Sequence, residues 1–557
     1  MACTGCVQPS LKLISALPAR PGIQGTARAS NFRHFHPTTC KSMAIGTQSR
    51  QCLSTAVVGA GAAGLVAAKE LLAEGHRVTV FEQGPVLGGT WVYTPKSDEA
   101  SRPSPGPGVA EGRVYTSMYR DLRTNLPREV MSFLDFPFLP DAMGGRSHDT
   151  RRFCSHSEVL AYLEAFTDAF SLRHHIQYDT TVTLAEPLPA GHENGLTDAA
   201  AVSSNGQRAE ANGHTSHGNG QAACEDLPWP RWRLSLRQAQ RKGSKQRHVS
   251  TQDFDALLVC NGHYTDARWP EVAGQEAFPG RISHSHNYRE PSSYKGQRVV
   301  CVGASASGTD ISREIASTAD EVYLCERGWD GDVQSHPAAG PRGNIHKRPG
   351  LISLRSDGRA EFEDGSFSQP VDAVLFCTGY LYSVPFLSTS AVVGCDASQS
   401  SIEPLYRHLF PPTAAPTLAL LALPWRVVPF PLAQLQARWV ARVLSGKVAP
   451  PTHEELRADS AAFYKEQQEE GRRSRDAHYL GEHQWGYNEW LARSCGEPAD
   501  IASTPWRIAM NNQASMGRRA APEDYRDRDD TIDAKAISAA HADFASLKVP
   551  FLRELQA

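Results

Sequence analysis

The sequence predicts an α/β fold in which a smaller strand–turn–helix unit is inserted into a larger one, with a small antiparallel β meander beside them. Three observations predict it. Thr55 to Glu82 (TAVVGAGAAGLVAAKELLAEGHRVTVFE) reads as strand, glycine turn, helix and strand, and Gln297 to Arg327 repeats the plan. Two similar buried runs that end in a polar glycine turn, Phe254 to Tyr264 (FDALLVCNGHY) and Val371 to Tyr380 (VDAVLFCTGY), mark the chain crossing twice between the units.

In the first unit the apolar run Ala56, Val57, Val58 stops at Gly59. Gly59, Gly61 and Gly64 then set out G-x-G-x-x-G, with Ala60, Ala62 and Ala63 between them, before the helix-forming stretch Leu65 to Ala73. The first glycine permits a tight turn, the second lets backbone approach a pyrophosphate, and the third lets helix pack closely on strand. Phosphates then sit at a helix N-terminus. Gly75 and His76 end the helix, Arg77 to Phe81 form the next strand, and Glu82 follows about 20 residues on, where ribose hydroxyls are bound. An acid there suits an unphosphorylated ribose. This is a dinucleotide-binding, Rossmann-like pattern.

The chain's 557 residues exceed the roughly 250 to 300 at which single cores stop growing. A net charge of -3, from 57 Lys plus Arg against 60 Asp plus Glu, gives no global argument for nucleic acid or an anionic membrane, so the expected partners are small molecules. Cys260, Cys301, Cys325 and Cys377 fall in apolar strand-like runs, as reduced buried thiols do, and no disulfide framework is expected. The Cys3/Cys6 pair lies in the N-terminal extension, and His174/His175 and His284/His286 lack companion ligands, so no metal site is expected. Pro416 to Trp425 is too short and proline-broken for a bilayer span, which needs about 20 apolar residues.

Along the chain, residues 1–52 carry Lys12, Arg20, Arg28, Arg33, Lys41 and Arg50 with no Asp or Glu, the composition of a transit peptide. The expected destination is plastid or mitochondrion, between which composition does not choose; a cytoplasmic tail is the alternative. Residues 53–263 form the first part of the larger domain. Within them Gly84, Gly88, Gly89, Thr90 and Trp91 continue the first site, 97–112 is a loop, and Arg123, Thr124 and Asn125 form the polar core of an ordered loop. His156 to Phe170 has helical periodicity with Ser157 placed to cap it. Ile176 to Leu184 and Trp229 to Leu236 read as meander strands, and 187–226 as a disordered insertion.

Residues 264–371 form the inserted domain. Gly303, Ala304, Ser305, Ala306, Ser307 and Gly308 give G-x-S-x-x-G after the buried run Arg298 to Val302, and Thr309 and Asp310 open a helix. The following strand, Glu321 to Glu326, ends at Arg327. A guanidinium there matches a ribose 2′-phosphate in bidentate geometry, so the first site reads as FAD and the second as NADPH. Residues 372–500 return to the larger domain with helical stretches at Leu432 to Val443 and Pro450 to Ala492, and 501–557 reads as a surface-hugging tail.

Several stretches together resemble a known family. In FPGRISHSHNY, Phe278, Gly280, His284 and Tyr288 match the F-x-G-x-x-x-H-x-x-x-Y fingerprint of flavin-containing monooxygenases. E-x-x-x-x-x-G-G-x-W at Glu82 to Trp91, T-N-x-P at Thr124 to Pro127 and C-T-G-Y at Cys377 to Tyr380 extend the resemblance from residue 55 to about 500. The chain is most similar to the plant branch that includes glucosinolate S-oxygenases. It departs from the family at the N-terminal extension, the 187–226 insertion, Ser305 and Ala306.

The resemblance implies reduction of FAD by NADPH, oxygen addition at flavin C4a, and transfer of one oxygen atom from the hydroperoxyflavin to a thioether or amine. It also implies a catalytic role for Asn125, similar to the family's asparagine beside the flavin ring and nicotinamide ribose, and a possible homodimer. His284 and Tyr288 are expected to be structural. A disulfide reductase would need a cysteine pair after the first motif, which is absent, and a Baeyer–Villiger-type enzyme would carry a different fingerprint around Phe278 to Tyr288. An NADPH oxidase or a non-catalytic flavoprotein remains an alternative, separable by oxygen consumption and product formation.

Overall fold

The computed structural model describes residues 52–98, 113–188, 229–239, 248–329, 338–387 and 392–547. Its first sheet is parallel, in the order Leu418–Leu420, Ala256–Val259, Ser54–Val58, Arg77–Phe81, Ile176–Gln177. Ala56, Val57, Leu257 and Leu258 are buried without alternation, as strands covered on both faces must be. The second sheet is also parallel, in the order Ile345–Arg348, Glu321–Cys325, Arg298–Val302, Ala373–Phe376, Arg281–His284. All its strands fall between Ala256–Val259 and Leu418–Leu420 of the first, so the smaller unit is an insertion. It runs past the expected boundary at 371, because Ala373–Phe376 pairs with Arg298–Val302 and closes the inserted sheet.

The antiparallel meander comprises Thr180–Leu188, Arg231–Gln238 and Val249–Phe254. The run expected as one strand from Ile176 to Leu184 is divided by a turn at Asp179, whose φ is 53°, so Ile176–Gln177 joins the parallel sheet instead. The run from Phe254 is divided likewise: Phe254 ends a meander strand, and Ala256–Val259 is the sheet strand. Pro187 and Leu188 belong to the meander rather than to the expected insertion, the rest of which, to 226, lies outside the described residues, as does most of the expected loop 97–112.

Helices α1 (Ala62–Ala73), α2 (Arg128–Met131) and α3 (His156–Ala169) follow in the larger unit, and α4 (Ala306–Ala316) in the inserted one. Ser155, not Ser157, is the N-cap of α3; the two hydroxyls lie 2.9 Å apart. Beyond the insertion come α5 (Pro429–Leu444), α6 (His453–Glu469), α7 (Gln484–Cys495), α8 (Pro505–Ala520) and α9 (Ala534–Ala545). A buried pair joins α1 to α5, with Arg438 donating through Nε and Nη2 to Glu70 at 3.0 Å each. Burial would raise the Glu70 carboxyl, but Arg438 and Lys69 beside it bring it down to about 2.

Residues 501–547 are not a surface-hugging tail. Trp506, Met510 and Ala514 recur every four residues along α8. With Tyr525 and Phe544 they form a core against Val130, Phe153, Val428 and Trp485. Among the described residues no helix is long and apolar enough to cross a membrane.

Candidate active site

The first glycine turn is built as its spacing predicts, and each glycine answers a different demand. Gly59 has φ 104°, and a Cβ there would come within 2.5 Å of the Cys260 carbonyl oxygen. At Gly64 a Cβ would stand 1.8 Å from the Gly59 carbonyl oxygen, so only glycine lets α1 lie this close to the strand. Gly61 differs: a Cβ would meet nothing nearer than the Gly89 Cα at 3.5 Å. The protein alone leaves room for a side chain at Gly61, and that room is what a pyrophosphate would fill. The first α1 hydrogen bond runs from the Leu65 N–H to the Gly61 carbonyl, so the N–H groups of the first turn have no intrahelical partner. They are donors suited to phosphate.

This turn opens into a cavity of 1740 Å³ whose lining includes Gly59, Gly61, Ala62, Ala63, Glu82, Thr90 and Trp91. Ala60 and Gly64 lie buried beneath it. Glu82 accepts the Ala60 and Gly84 N–H groups, one on each carboxylate oxygen at 2.8 Å. Burial raises its pKa against the backbone N–H bonds from Ala60, Gly84 and Gln83, which lower it, and the residue lines the cavity. Thr90 offers its carbonyl to the Thr116 hydroxyl at 3.0 Å, and Trp91 packs edge-on to Phe430 with ring centroids 6.3 Å apart. A cavity of this volume, with a glycine turn and aromatic side chains in its lining, fits a flavin dinucleotide.

The other predicted residues lie outside the cavity lining. Ser305 is the N-cap of α4, exposed, with no capping bond from its side chain. Ala306 and Ser307 are exposed with it, Gly303, Ala304 and Thr309 are half-buried, and Gly308 is buried against the strand. Arg327 is exposed just beyond Glu321–Cys325. Thr124 is buried, with its N–H on the Cys154 carbonyl at 2.8 Å, while Asn125 is exposed. Asp310 is held by Arg526, whose Nη2 donates to it at 2.6 Å. The structure therefore gathers the first glycine turn, Glu82, Thr90 and Trp91 about one chamber, and leaves the second glycine turn on an open helix N-terminus with Thr124, Asn125 and Arg327 on separate elements.

His263 was not singled out from the sequence. It lines the cavity in the turn after Ala256–Val259, and among the described residues neither of its screened ring nitrogens has a hydrogen-bond partner. Burial lowers its pKa to about 4, so at neutral pH it presents an uncharged imidazole. The signal was its position: the turn after a parallel strand next to the glycine strand faces the crevice where ligands bind in such sheets.

With this geometry in view, comparison with known proteins gives a consistent result. The model of the FMO-like family, described as flavin-binding monooxygenase-like, matches residues 53–211, 237–332 and 334–498. The chain is 37% identical over 491 residues to flavin-containing monooxygenase FMO GS-OX-like 4 of Arabidopsis thaliana, covering 88% of this chain and 96% of that one. It is 36% identical over 502 residues to FMO GS-OX5 of the same plant, covering 89% and 95%. The solved structure of S-allyl-L-cysteine S-oxygenase from Allium sativum is 35% identical with a TM-score of 0.74, and the match covers 89% of this chain and all of that one. The matched span holds both glycine turns, and the chain belongs to the flavin-binding monooxygenase-like family as a flavin-dependent monooxygenase whose cofactors are FAD and NADPH.

Proposed function

We propose that the enzyme transfers one oxygen atom to the sulfur of a small thioether. The observation that carries this reading is the similarity, over 89% of this chain, to a solved S-oxygenase. One atom of O2 goes to sulfur and the other leaves as water, with two electrons and a proton from NADPH and one proton from solvent. FAD, when bound, supplies the redox and oxygen chemistry.

The chain's own residues bind and orient. In this reading Gly59 to Gly64 and the first turn of α1 hold the FAD pyrophosphate, and Glu82 takes the ribose hydroxyls. Trp91 and Phe430 form part of the apolar wall, and the uncharged His263 can donate one hydrogen bond and accept another inside the cavity. The α4 N-terminus and Arg327 hold NADPH, and the Asn125 carboxamide retains the oxidised coenzyme. Support for these assignments is the motif spacing, the room left at Gly61 and the exposed α4 N-terminus.

Purified full-length protein supplied with NADPH, O2 and S-allyl-L-cysteine or a related thioether tests the reading, with a tertiary amine as comparison. Sulfoxide formed in step with NADPH oxidation supports it. NADPH consumed without sulfoxide, or oxygenation confined to the amine, overturns the sulfur assignment.

We further propose that residues 1–52 are an organelle-targeting segment, plastid or mitochondrial, on the strength of their basic, acid-free composition. Deleting them should leave FAD content and NADPH oxidation intact, and loss of either would count against it.

A further inference from the structure

The segment after α8 reaches back to two parts of the coenzyme region that are far apart in sequence. Arg526 donates through Nε to the Thr124 carbonyl at 3.0 Å, and through Nη2 and Nη1 to the two Asp310 oxygens at 2.6 and 3.4 Å. Thr124 immediately precedes Asn125, and Asp310 lies two residues after Gly308 in the opening turns of α4. One guanidinium therefore spans the Asn125 loop and the helix that starts at the second glycine turn. The Arg526 and Asp310 side chains are only 16% and 19% exposed.

The surrounding contacts hold Arg526 in place. Arg123 donates to both Asp527 oxygens at 2.7 and 2.9 Å and to the Arg526 carbonyl at 3.4 Å. Arg313 on α4 donates to Glu523 at 3.1 Å, and buried Tyr525 packs edge-on to Phe153 at 5.4 Å. Charge supplies the functional argument. The N-terminus of α4 attracts anions, and an uncompensated Asp310 carboxylate just inside it would oppose them. Arg526 supplies most of that compensation, at 2.6 Å against 4.0 Å for Arg313 on the same helix, while its Nε fixes the neighbouring loop.

We propose that Arg526 is a positioning residue of the NADPH site, neutralising Asp310 and fixing the Asn125 loop against α4. The proposal rests on the reading of the second glycine turn as the NADPH site.

The test uses full-length, FAD-loaded protein, titrated with NADP+ and followed by the flavin spectrum, with peroxide released per NADPH and the thermal midpoint measured alongside. Arg526→Ala should raise the NADP+ Kd about tenfold, the scale of a charge-assisted hydrogen bond, and raise the peroxide share. Adding Asp310→Asn to that variant should recover most of the NADP+ affinity, a rescue that a purely structural clamp would not show. Arg526→Lys keeps the charge but loses the planar fork, so its NADP+ Kd should stay near wild type while its peroxide share rises. A lowered thermal midpoint with unchanged Kd and peroxide in Arg526→Ala overturns the proposal. If Arg526→Ala yields no FAD-loaded protein, Arg526→Lys decides, and an unchanged peroxide share overturns it. Absence of NADP+ binding to the wild type would instead overturn the site reading beneath it.

Discussion

At Gly303 the chain repeats what it does at Gly59. The φ is 107° against 104°, and the N–H reaches the Cys325 carbonyl at 2.9 Å where Gly59 reaches Phe81 at 2.8 Å. A Cβ would stand 2.6 Å from the Cys377 carbonyl oxygen. Gly308 repeats Gly64, with a hypothetical Cβ 1.7 Å from the Gly303 carbonyl oxygen. The middle positions have nearly the same backbone, φ −77° at Gly61 and −80° at Ser305. The first and third glycine positions are thus demanded by the protein's own packing in both copies.

The middle position and the surroundings differ. Gly61 faces a walled chamber in which a side chain would occupy ligand space, whereas Ser305 projects from an exposed turn. The first turn is walled by the meander, the Trp91 turn and α5, and the second opens to solvent beside Arg526. A chamber walled on several sides suits a cofactor that stays through many turnovers. An exposed turn suits a coenzyme that must leave after each, and in the proposed reading the same backbone serves residence in one place and exchange in the other.

Substitutions can break or sharpen that comparison. The largest effect is expected of Gly61→Asp, which puts a carboxylate into the chamber where the pyrophosphate lies: the purified protein should be colourless, and a fully yellow variant would mean the FAD site is elsewhere. Arg327→Ala removes a charge-assisted bond to the 2′-phosphate worth about 1.5 to 3 kcal/mol, so the NADPH KM should rise roughly 10- to 100-fold. NADH use should barely change, and equal losses for both coenzymes in steady-state kinetics would remove the 2′-phosphate role. Asn125→Ala should keep FAD and its reduction by NADPH but release several times more peroxide per NADPH, because a carboxamide that both donates and accepts is lost. Unchanged coupling would leave Asn125 with only a loop-shaping role. Ser305→Gly should do least: its side chain makes no cap bond, and Ser to Gly at such a position costs only a few tenths of a kcal/mol, so the NADPH KM should move less than about twofold. A larger change would mean the Ser305 side chain itself contacts coenzyme.

Both turns were legible in the sequence because their demands are local: two glycines five residues apart in a strand–helix join, Gly59 and Gly64 or Gly303 and Gly308, are set by that join alone. The repeated runs ending CNGHY and CTGY exposed the insertion for the same reason. Boundaries set by pairing were less legible. Ala373–Phe376 looks like a return to the larger unit until its partner Arg298–Val302 is seen, and Ile176 to Leu184 looks continuous until Asp179 turns it. On α8 the spacing of Trp506, Met510 and Ala514 was present but masked by the polar and charged residues around it. Arg526 had no local signal, because its partner Asp310 is 216 residues away. His263 could be read only as part of a turn, since the screening of its nitrogens depends on the chain packed around the cavity.

The division of labour between the turns is tested most directly by anaerobic reduction of Gly308→Ala. Its added methyl would press on the Gly303 carbonyl and displace the opening of α4, leaving the first turn untouched. The variant should purify with flavin bound at the wild-type ratio, and its flavin absorbance should persist when NADPH is added, while wild type is bleached. Bleaching at the wild-type rate, or loss of the flavin itself, would contradict the assignment of NADPH to the second turn and FAD to the first.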